Sequence, residues 1–392
     1  MKILLTILCI VLITGILSAQ TFDEKNGTEI TKNSKYLKDL KKLKDLKDPK
    51  STKENTSNKD PDENEEDGTG KVWGYAFGDF FYKAGGDSTI SLLDYTNYPK
   101  DYNSFDFRRI YLGYDHNISR YFFTRFVLAY DGNDVLPNLK NAVLIKDAFL
   151  AWKEIFTGST LTIGLQPTPS YSFIEEKIWG YRSVEKTIMD QRGIAGSRDL
   201  GVMLNGNFDE KKNYGYYFMI ATGSGVRKEV NKYKKYYGML SGNFADKKIT
   251  ADIYADFENV NDNNDRYTFS SFLAYSVESF SIGLEGFFQR NKIFNSVTNN
   301  TDPMGLSLFA TGNISENKFR FFSRIDYYNE NTTTAQRGFN QYFVTAGIDF
   351  MPHKNVHLMP NIWLNAYSQK NSSAAGLKTD VVPRITFYYD YR

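Results

Sequence analysis

Apolar and polar residues alternate along most of the chain after residue 70. In residues 249–257 the even positions hold mainly polar side chains, and the odd positions hold Ile249, Ala251, Ile253, Ala255 and Phe257. Successive side chains of a β-strand point to opposite faces, so this period of two predicts strands with one apolar and one polar face. The same region contains no window with a sustained helical period. Residues 71–392 are therefore predicted to be all-β.

The connections between the predicted strands alternate in length. Short ones, such as residues 208–213 and 245–247, are followed by long ones, such as residues 167–198 and 259–266. Outer-membrane barrels have an even number of strands, short turns at the periplasmic rim and long external loops. A soluble sandwich has no reason to sort its loops in this way. The predicted fold is a transmembrane antiparallel β-barrel of about 16 strands, embedded in outer-membrane lipid.

Two further strands show which face contacts lipid. In residues 319–327 the polar positions are Arg320, Arg324 and Asp326, and the alternating apolar positions are Phe319, Phe321, Ile325 and Tyr327. The last strand places Ile385, Phe387, Tyr389 and Tyr391 on one face. Aromatic residues make up 16% of the chain, as aromatic girdles at the two membrane interfaces would require. A mean hydropathy of −0.47 does not oppose this interpretation, because only every second strand residue meets lipid.

The first 19 residues are predicted to be a secretory signal peptide. An apolar run from Ile3 to Leu17 is followed by the small residues Ser18 and Ala19. A membrane anchor is the alternative, but the run is shorter than the ~20 apolar residues that a spanning helix needs. The only cysteine, Cys9, lies inside this run, so cleavage would leave a mature protein without a thiol.

Residues 20–70 are predicted to form a charged, low-complexity linker, because they contain too few apolar residues to bury a core. Leucines recur every third position within residues 36–48, which is compatible with a short helix. That helix would either pair across subunits as a short coiled coil or stand alone in solvent. An acidic run at residues 60–67 is interpreted as a solvating spacer.

The stretch from residue 167 to residue 198 interrupts the alternation. It contains prolines and glycines that break regular structure, together with the apolar residues Phe173, Ile174, Ile178, Trp179 and Ile188. A loop of this length within a compact domain is usually functional or disordered, and the apolar residues argue against disorder. The alternative is an ordinary external loop that packs on its own side chains.

Four short runs carry a resemblance to a known family. They are FDFRRIYLGY at residues 105–114, KDAFL at 146–150, IGLQP at 163–167 and RDLGV at 198–202. Together they resemble the phosphate-selective porin O/P-like family of outer-membrane porins. The resemblance implies a 16-stranded channel, commonly trimeric, whose third external loop folds into the lumen, and residues 167–198 occupy that place. The terminal Tyr391-Arg392 and the charged linker depart from the family pattern.

The charges in this loop identify candidate site residues. Its basic residues exceed its acidic residues by one. The predicted pore constriction consists of Arg182, Lys186, Arg192, Arg198 and Glu185. The predicted pore wall consists of Arg109, Arg125, Arg320, Arg324 and Arg384. A lumen lined by positive charge favours anions, which predicts a weak anion preference. The resemblance suggests phosphate or other oxyanions as the solutes. Alternatively, these arginines pair with acids such as Asp115, Asp147 and Asp326 and serve the structure.

Signs of enzyme chemistry are weak. His116 and His353 fall in predicted periplasmic turns and His357 lies near one, so no nucleophile and base are brought together. We expect no catalytic residues, no metal and no cofactor. The predicted function is a porin that passes small anionic or polar solutes as a homotrimer, and nucleic acid is not expected among its partners. The alternative is a non-conducting barrel that acts as an adhesin or scaffold through its external loops.

Overall fold

The computed structural model describes most of the chain after residue 66, in the ranges 67–89, 91, 93–132, 141–293, 301–315, 318–332, 338–370 and 376–391. The predicted signal peptide and the predicted linker as far as residue 66 lie outside the described residues. This includes the predicted helix at residues 36–48.

Sixteen strands form one closed antiparallel barrel, as predicted. Each strand pairs with its neighbours in sequence, and β1 closes the ring by pairing with β16, where Gly74 lies opposite Tyr391. Closure leaves no strand edge without a hydrogen-bonding partner, which is what a sheet in lipid requires. The strands are β1 Thr69–Tyr82, β2 Asn103–Asn117, β3 Phe122–Tyr130, β4 Leu144–Lys153, β5 Ser159–Pro167, β6 Arg198–Asn207, β7 Tyr214–Ala221, β8 Lys235–Phe244, β9 Ile249–Asn261, β10 Asn264–Val277, β11 Phe280–Ile293, β12 Met304–Ser315, β13 Phe319–Asn329, β14 Phe339–His353, β15 Val356–Gln369 and β16 Asp380–Tyr391.

The predicted alternation of faces is confirmed. In β9, Ile253 is 60% exposed on the outside of the barrel, whereas its neighbour Asp252 is 4% exposed and points inward. In β16, Ile385 and Tyr389 face outward and Arg384 is buried inside. An apolar outer surface of this kind suits the hydrocarbon of a bilayer. No helix within the described ranges is both long enough and apolar enough to cross a membrane.

One predicted loop is wrong. Residues 259–266 were expected to form a long external loop, but β9 and β10 remain paired there and are joined only by Asp262 and Asn263. The guanidinium of Arg266 and the carboxylate of Glu258 lie 3.6 Å apart across this extension. Beyond the membrane both faces of a strand are wet, so the apolar alternation that reveals a strand disappears.

Two β-bulges add inward-facing charge to the wall. Between β1 and β2, Phe77 lies opposite Arg109 and Gly78 lies opposite Phe107, so Arg108 is the extra residue. A second shift between β3 and β4 makes Lys146 the extra residue. An extra residue lets two consecutive side chains share one face. Arg108 is therefore buried inside beside Arg109, and Lys146 is buried inside beside Asp147.

The connection from β5 to β6, residues 168–197, contains the only two helices of the described chain, and we call it the inserted segment. Helix α1 spans Glu175–Trp179 and helix α2 spans Ile188–Gln191. Helix α1 ends at Gly180, whose φ of 69° is the left-handed conformation that glycine adopts without strain. The Gly180 N–H donates to the carbonyl oxygen of Glu176.

Candidate functional site

The inserted segment lies inside the barrel. Its Trp179 ring packs 5.2 Å from Phe309 on β12, measured between ring centroids, and its Ile194 carbonyl accepts a hydrogen bond of 3.0 Å from Gln289 on β11. Across the ring, the Arg108 guanidinium on β2 donates to the carbonyl of Val184 at 3.0 Å. Strand β2 lies far from the neighbouring strands β11 and β12 in the closed sheet. A segment that contacts all three crosses the interior.

Apolar contacts fix one side of the segment to the wall. One cluster joins Ile188 and Met189 to inward-facing side chains of β6–β9 and β11, and a second joins Trp179 and Val184 to those of β10, β12, β13 and β15. All four of these side chains are almost fully buried. Burial of a large apolar side chain contributes about 1.5–3 kcal/mol. The apolar residues that argued against disorder are thus the contacts that dock the segment.

Two of the predicted pore-wall arginines hold the segment instead of lining open water. Arg324 pairs with Asp326 at 2.5 Å and donates to the carbonyl of Lys186. Arg384 donates to the carbonyl of Val184 at 2.6 Å. Their side chains are 1% and 0% exposed. Charge-assisted hydrogen bonds to carbonyl oxygens compensate for the cost of burying the guanidinium groups.

Two of the predicted constriction residues also point toward this buried side. Glu185 accepts a hydrogen bond of 2.8 Å from the Trp363 indole on β15. Arg192 donates to Gln341 at 2.7 Å and lies 4.7 Å from the centroid of the Tyr328 ring. Both side chains are buried. They contribute to docking, which differs from the predicted position in the constriction.

The opposite side of the segment carries charges that stay partly exposed. Arg182 bridges Glu176 and Asp190, at 2.6 Å in each case. The wall opposite carries Arg198 paired with Asp147, and Asp131 paired with both Arg109 and Lys146. We call the following set the charged face: Glu176, Arg182, Lys186 and Asp190 on the segment, and Arg109, Asp131, Lys146, Asp147 and Arg198 on the wall.

The two halves of the charged face interact electrostatically. Burial alone raises the pKa of Asp190, yet Arg182, Lys186 and the facing Lys146 bring that pKa below its usual value. Burial likewise opposes ionisation of Asp131, but Arg109, Lys146 and Arg182 lower its pKa to about 2. Such effects require short separations in a medium of low dielectric constant. The segment and the wall therefore face each other closely.

The balance of the charged face is positive. It contains five cations and four carboxylates, a surplus of one. Within the described part of the chain, Lys186 alone among these cations has no carboxylate partner. Its ammonium group interacts with Asp94 and Asp190 without forming an ion pair with either.

The remaining predicted wall residues lie elsewhere. Arg125 forms a two-pronged contact with Asp115, both distances being 2.7 Å, near the rim with short turns. Arg320 lies on the inward face of β13, close to the Tyr181 hydroxyl. The charged face thus unites four predicted residues, Arg109, Arg182, Lys186 and Arg198. Sequence reasoning missed Lys146, since a strict period of two places it on the lipid side.

A second unusual feature is a group of three buried acids. Glu175, at the start of α1, lies against Asp252 of β9 and Glu285 of β11. None of the three pairs with a lysine or arginine in the described ranges. Burial, followed by the nearby charges of Asp252 and Glu285, raises the pKa of Glu175 well above its usual value. Burial at the start of helix α1 therefore favours the uncharged form of this carboxyl group.

The histidines and acids of the described residues form no group of three or more that could hold a metal ion. His357 contacts the Asp349 carboxylate at 2.9 Å and makes no pair with His353. His353 is the last residue of β14, and His357 lies on β15 after the short turn between the two strands.

Comparisons with known proteins show which known structures share this architecture. No family model and no curated protein matches the chain at the sequence level. Solved structures do match its shape. The outer-membrane channel DcaP of Acinetobacter baumannii has a TM-score of 0.61 at 10% identity, covering 84% of this chain and 99% of that one. The fold is that of outer-membrane porins.

Two further structures agree with this fold. OmpF of Salmonella typhi, in complex with daunomycin, has a TM-score of 0.58 at 13% identity, over 83% of this chain and 98% of that one. The anion-selective porin from Comamonas acidovorans has a TM-score of 0.57 at 11% identity, over 83% and 100%. Identities this low establish the fold alone. With its apolar outer surface, the chain is a bacterial outer-membrane β-barrel.

Proposed function

We propose that this protein is an outer-membrane porin through which small hydrophilic solutes diffuse passively, with a weak preference for anions. The observation that carries the proposal is the asymmetry of the inserted segment. Its apolar and hydrogen-bonded side is docked on the wall, and its charged side faces a second set of charges on β2–β4 and β6. Solutes pass between these two charged surfaces.

The anion preference follows from the charges at this passage. The charged face has a surplus of one positive charge, and Lys186 is not neutralised by an ion pair. Charges beside a narrow, poorly screened passage act strongly on ions. A small surplus favours anions modestly, because each solute also meets four carboxylates.

The finer parts of the proposal rest on resemblance. Similarity of short sequence runs to the phosphate-selective porin O/P-like family, and of the fold to an anion-selective porin, supports small oxyanions such as phosphate as solutes. The same resemblance supports a homotrimer. Chemical crosslinking of the protein in outer membranes tests the trimer, and competition of phosphate against chloride current tests the solute.

A single substitution tests the role of the charged face. Lys186→Glu changes its charge by two units and converts the surplus into a deficit, without breaking an ion pair. In a planar bilayer under a salt gradient, the reversal potential of the variant should shift toward cation preference. The matched control is Lys228→Glu in the exposed connection between β7 and β8, where bulk salt screens charge within about 10 Å at 0.1 M. Equal shifts from both variants contradict the proposal.

A non-conducting barrel is the second candidate. The two apolar clusters between the segment and the wall favour it, because they occupy lumen space that water would otherwise fill. The same bilayer experiment separates the candidates. Conduction by the correctly folded wild-type protein rejects the second one, whereas complete absence of current supports it.

A further inference from the structure

The inner face of β1 carries a row of aromatic rings. Trp73, Tyr75 and Phe77 alternate with outward-facing residues and therefore share the lumen side of the strand. Their ring centroids are 6.2 Å and 6.4 Å apart, and the ring planes differ by only 10° and 5°. Tyr111 on β2 and Tyr388 on β16 flank the middle ring, at 4.6 Å and 5.9 Å. We call these five residues the aromatic track.

The track is not simply part of the apolar packing of the inserted segment. Four of its rings belong to a separate cluster formed by β1–β4, and only Tyr388 on β16 also packs against the cluster around Trp179. Phe77 and Tyr111 are buried, but Trp73, Tyr75 and Tyr388 are only half-buried. The interior of a transmembrane barrel is normally polar. Partly exposed rings on this face leave apolar surface available to a solute.

Cations accompany the rings along the wall. The Arg125 guanidinium lies 5.3 Å from the centroid of the Trp73 ring, and the Arg108 guanidinium lies 5.5 Å from that of Phe77. Arg109 of the charged face lies directly opposite Phe77 in the pairing of β1 with β2. The track therefore extends from the short-turn half of the barrel to the charged face.

We propose that the aromatic track and the adjoining cations form a binding site for aromatic carboxylates, which would be preferred solutes of the channel. The rings supply flat apolar surface for stacking, and the adjoining cations, Arg125 beside Trp73 and the charged face beside Phe77, supply the partner for the carboxylate. An aliphatic acid of equal charge gains only the second contact. This inference rests on the proposed porin function and specifies one solute class for the same lumen.

Binding of benzoate to the purified full-length protein in detergent tests the proposal directly. We expect benzoate to bind about tenfold more tightly than acetate, which has the carboxylate without the ring. Cyclohexanecarboxylate, which has similar size but no flat ring, should bind with intermediate affinity. Isothermal titration calorimetry measures all three without requiring conduction. Equal affinity for benzoate and acetate overturns the proposal.

Substitution of one ring locates the site. Trp73→Leu should weaken benzoate binding about tenfold and leave acetate binding unchanged, because only stacking is lost. Trp73→Phe keeps a ring and should restore most of the affinity, which also shows that the position tolerates change. The matched control is Trp152→Leu, since Trp152 is 43% exposed on the outer surface of the barrel. A loss of benzoate binding in the control, or none in Trp73→Leu, overturns the assignment.

Current recordings separate this inference from the proposed function. Benzoate added to a chloride-conducting wild-type channel should reduce the current more than acetate does. If the chloride current responds equally to both acids, the proposed binding site at the aromatic track is refuted, but the proposed porin function is not affected. If no chloride current is found at all, the porin fails, and the calorimetric comparison still decides whether the track binds benzoate.

Discussion

The guanidinium of Arg384, on β16, donates a hydrogen bond of 2.6 Å to the backbone carbonyl of Val184 in the middle of the inserted segment. Val184 itself is fully buried, so this carbonyl has been removed from bulk water. A hydrogen bond to a charged group contributes about 1.5–3 kcal/mol. The same carbonyl also accepts a hydrogen bond of 3.0 Å from Arg108. Contacts of this kind determine whether the segment stays docked.

We expect Arg384→Ala to loosen the segment. Its docking should weaken by about 1.5–3 kcal/mol, the usual contribution of a charge-assisted hydrogen bond. Single-channel recordings should show larger and noisier conductance than the wild type. Arg125→Ala is the control, because Arg125 pairs with Asp115 away from the segment. If the conductance of Arg384→Ala is unchanged and no noisier than that of the wild type, the apolar contacts are sufficient to keep the segment docked.

The buried Glu175 carboxyl predicts a pH effect on docking. Its pKa in the folded protein is raised, so its stabilising contribution is complete below its unfolded pKa of about 4.3 and is lost as the pH rises through the folded pKa. The charge that appears there meets Asp252 and Glu285. Wild-type conductance should therefore become noisier in alkaline solution.

Glu175→Gln removes this titration while keeping the shape of the side chain. Conductance noise of the variant should depend less on pH than that of the wild type, measured from about pH 5 to about pH 9. Glu176→Gln is a neighbouring control, since Glu176 lies on the charged face and pairs with Arg182. If wild type and Glu175→Gln respond identically to pH, proton binding at Glu175 does not control docking.

Neutralising one wall acid should increase anion preference. Asp131 pairs with both Arg109 and Lys146, so Asp131→Asn leaves two cations without their partner and raises the surplus of the charged face by one. The reversal potential in a salt gradient should move toward anions. Glu229→Gln, on the partly exposed connection between β7 and β8, changes the same charge outside the passage and should have little effect. A shift of equal size in Glu229→Gln contradicts the assignment of Asp131 to the pore.

The order of the turns predicts the orientation in the membrane. Tags at Asn97 and Asn263 lie on the rim of the longer connections and should react with a membrane-impermeant label on intact cells. Tags at Asp209 and Ala245 lie in short turns and should react only after the outer membrane is opened. Labelling of the second pair on intact cells shows that the barrel is inverted or that the strand order is wrong.

The barrel was readable from the sequence because lipid imposes a simple rule on every strand. Ile253 must face hydrocarbon and Asp252 must not, so the period of two is visible wherever a strand crosses the membrane. The alternation of apolar and polar residues ends at the interface between membrane and water. This is why the pairing of β9 with β10 beyond the membrane, closed by Asp262 and Asn263, looked like a loop.

The interior was less predictable, because alternation identifies an inward side chain but not what lies across from it. Arg324 and Arg384 were placed correctly inside, yet their partners are backbone carbonyls of a segment distant in sequence. Arg108 and Lys146 point inward only because of the two β-bulges, which a strict alternation does not predict. A signal for the first bulge is present, since outward-facing Phe105 and Phe107 are followed by Ile110 and Leu112 with the opposite parity.

Several side chains of the wall hold the inserted segment by its main chain. Arg108, Arg324, Arg384 and Gln289 donate to the carbonyl oxygens of Val184, Lys186 and Ile194. Every residue type offers the same carbonyl, so these attachments do not depend on side-chain identity. Mutations at the water-facing positions of the segment can therefore alter which solutes pass while its anchorage is preserved. The solute preference of such a channel can change by single substitutions during evolution.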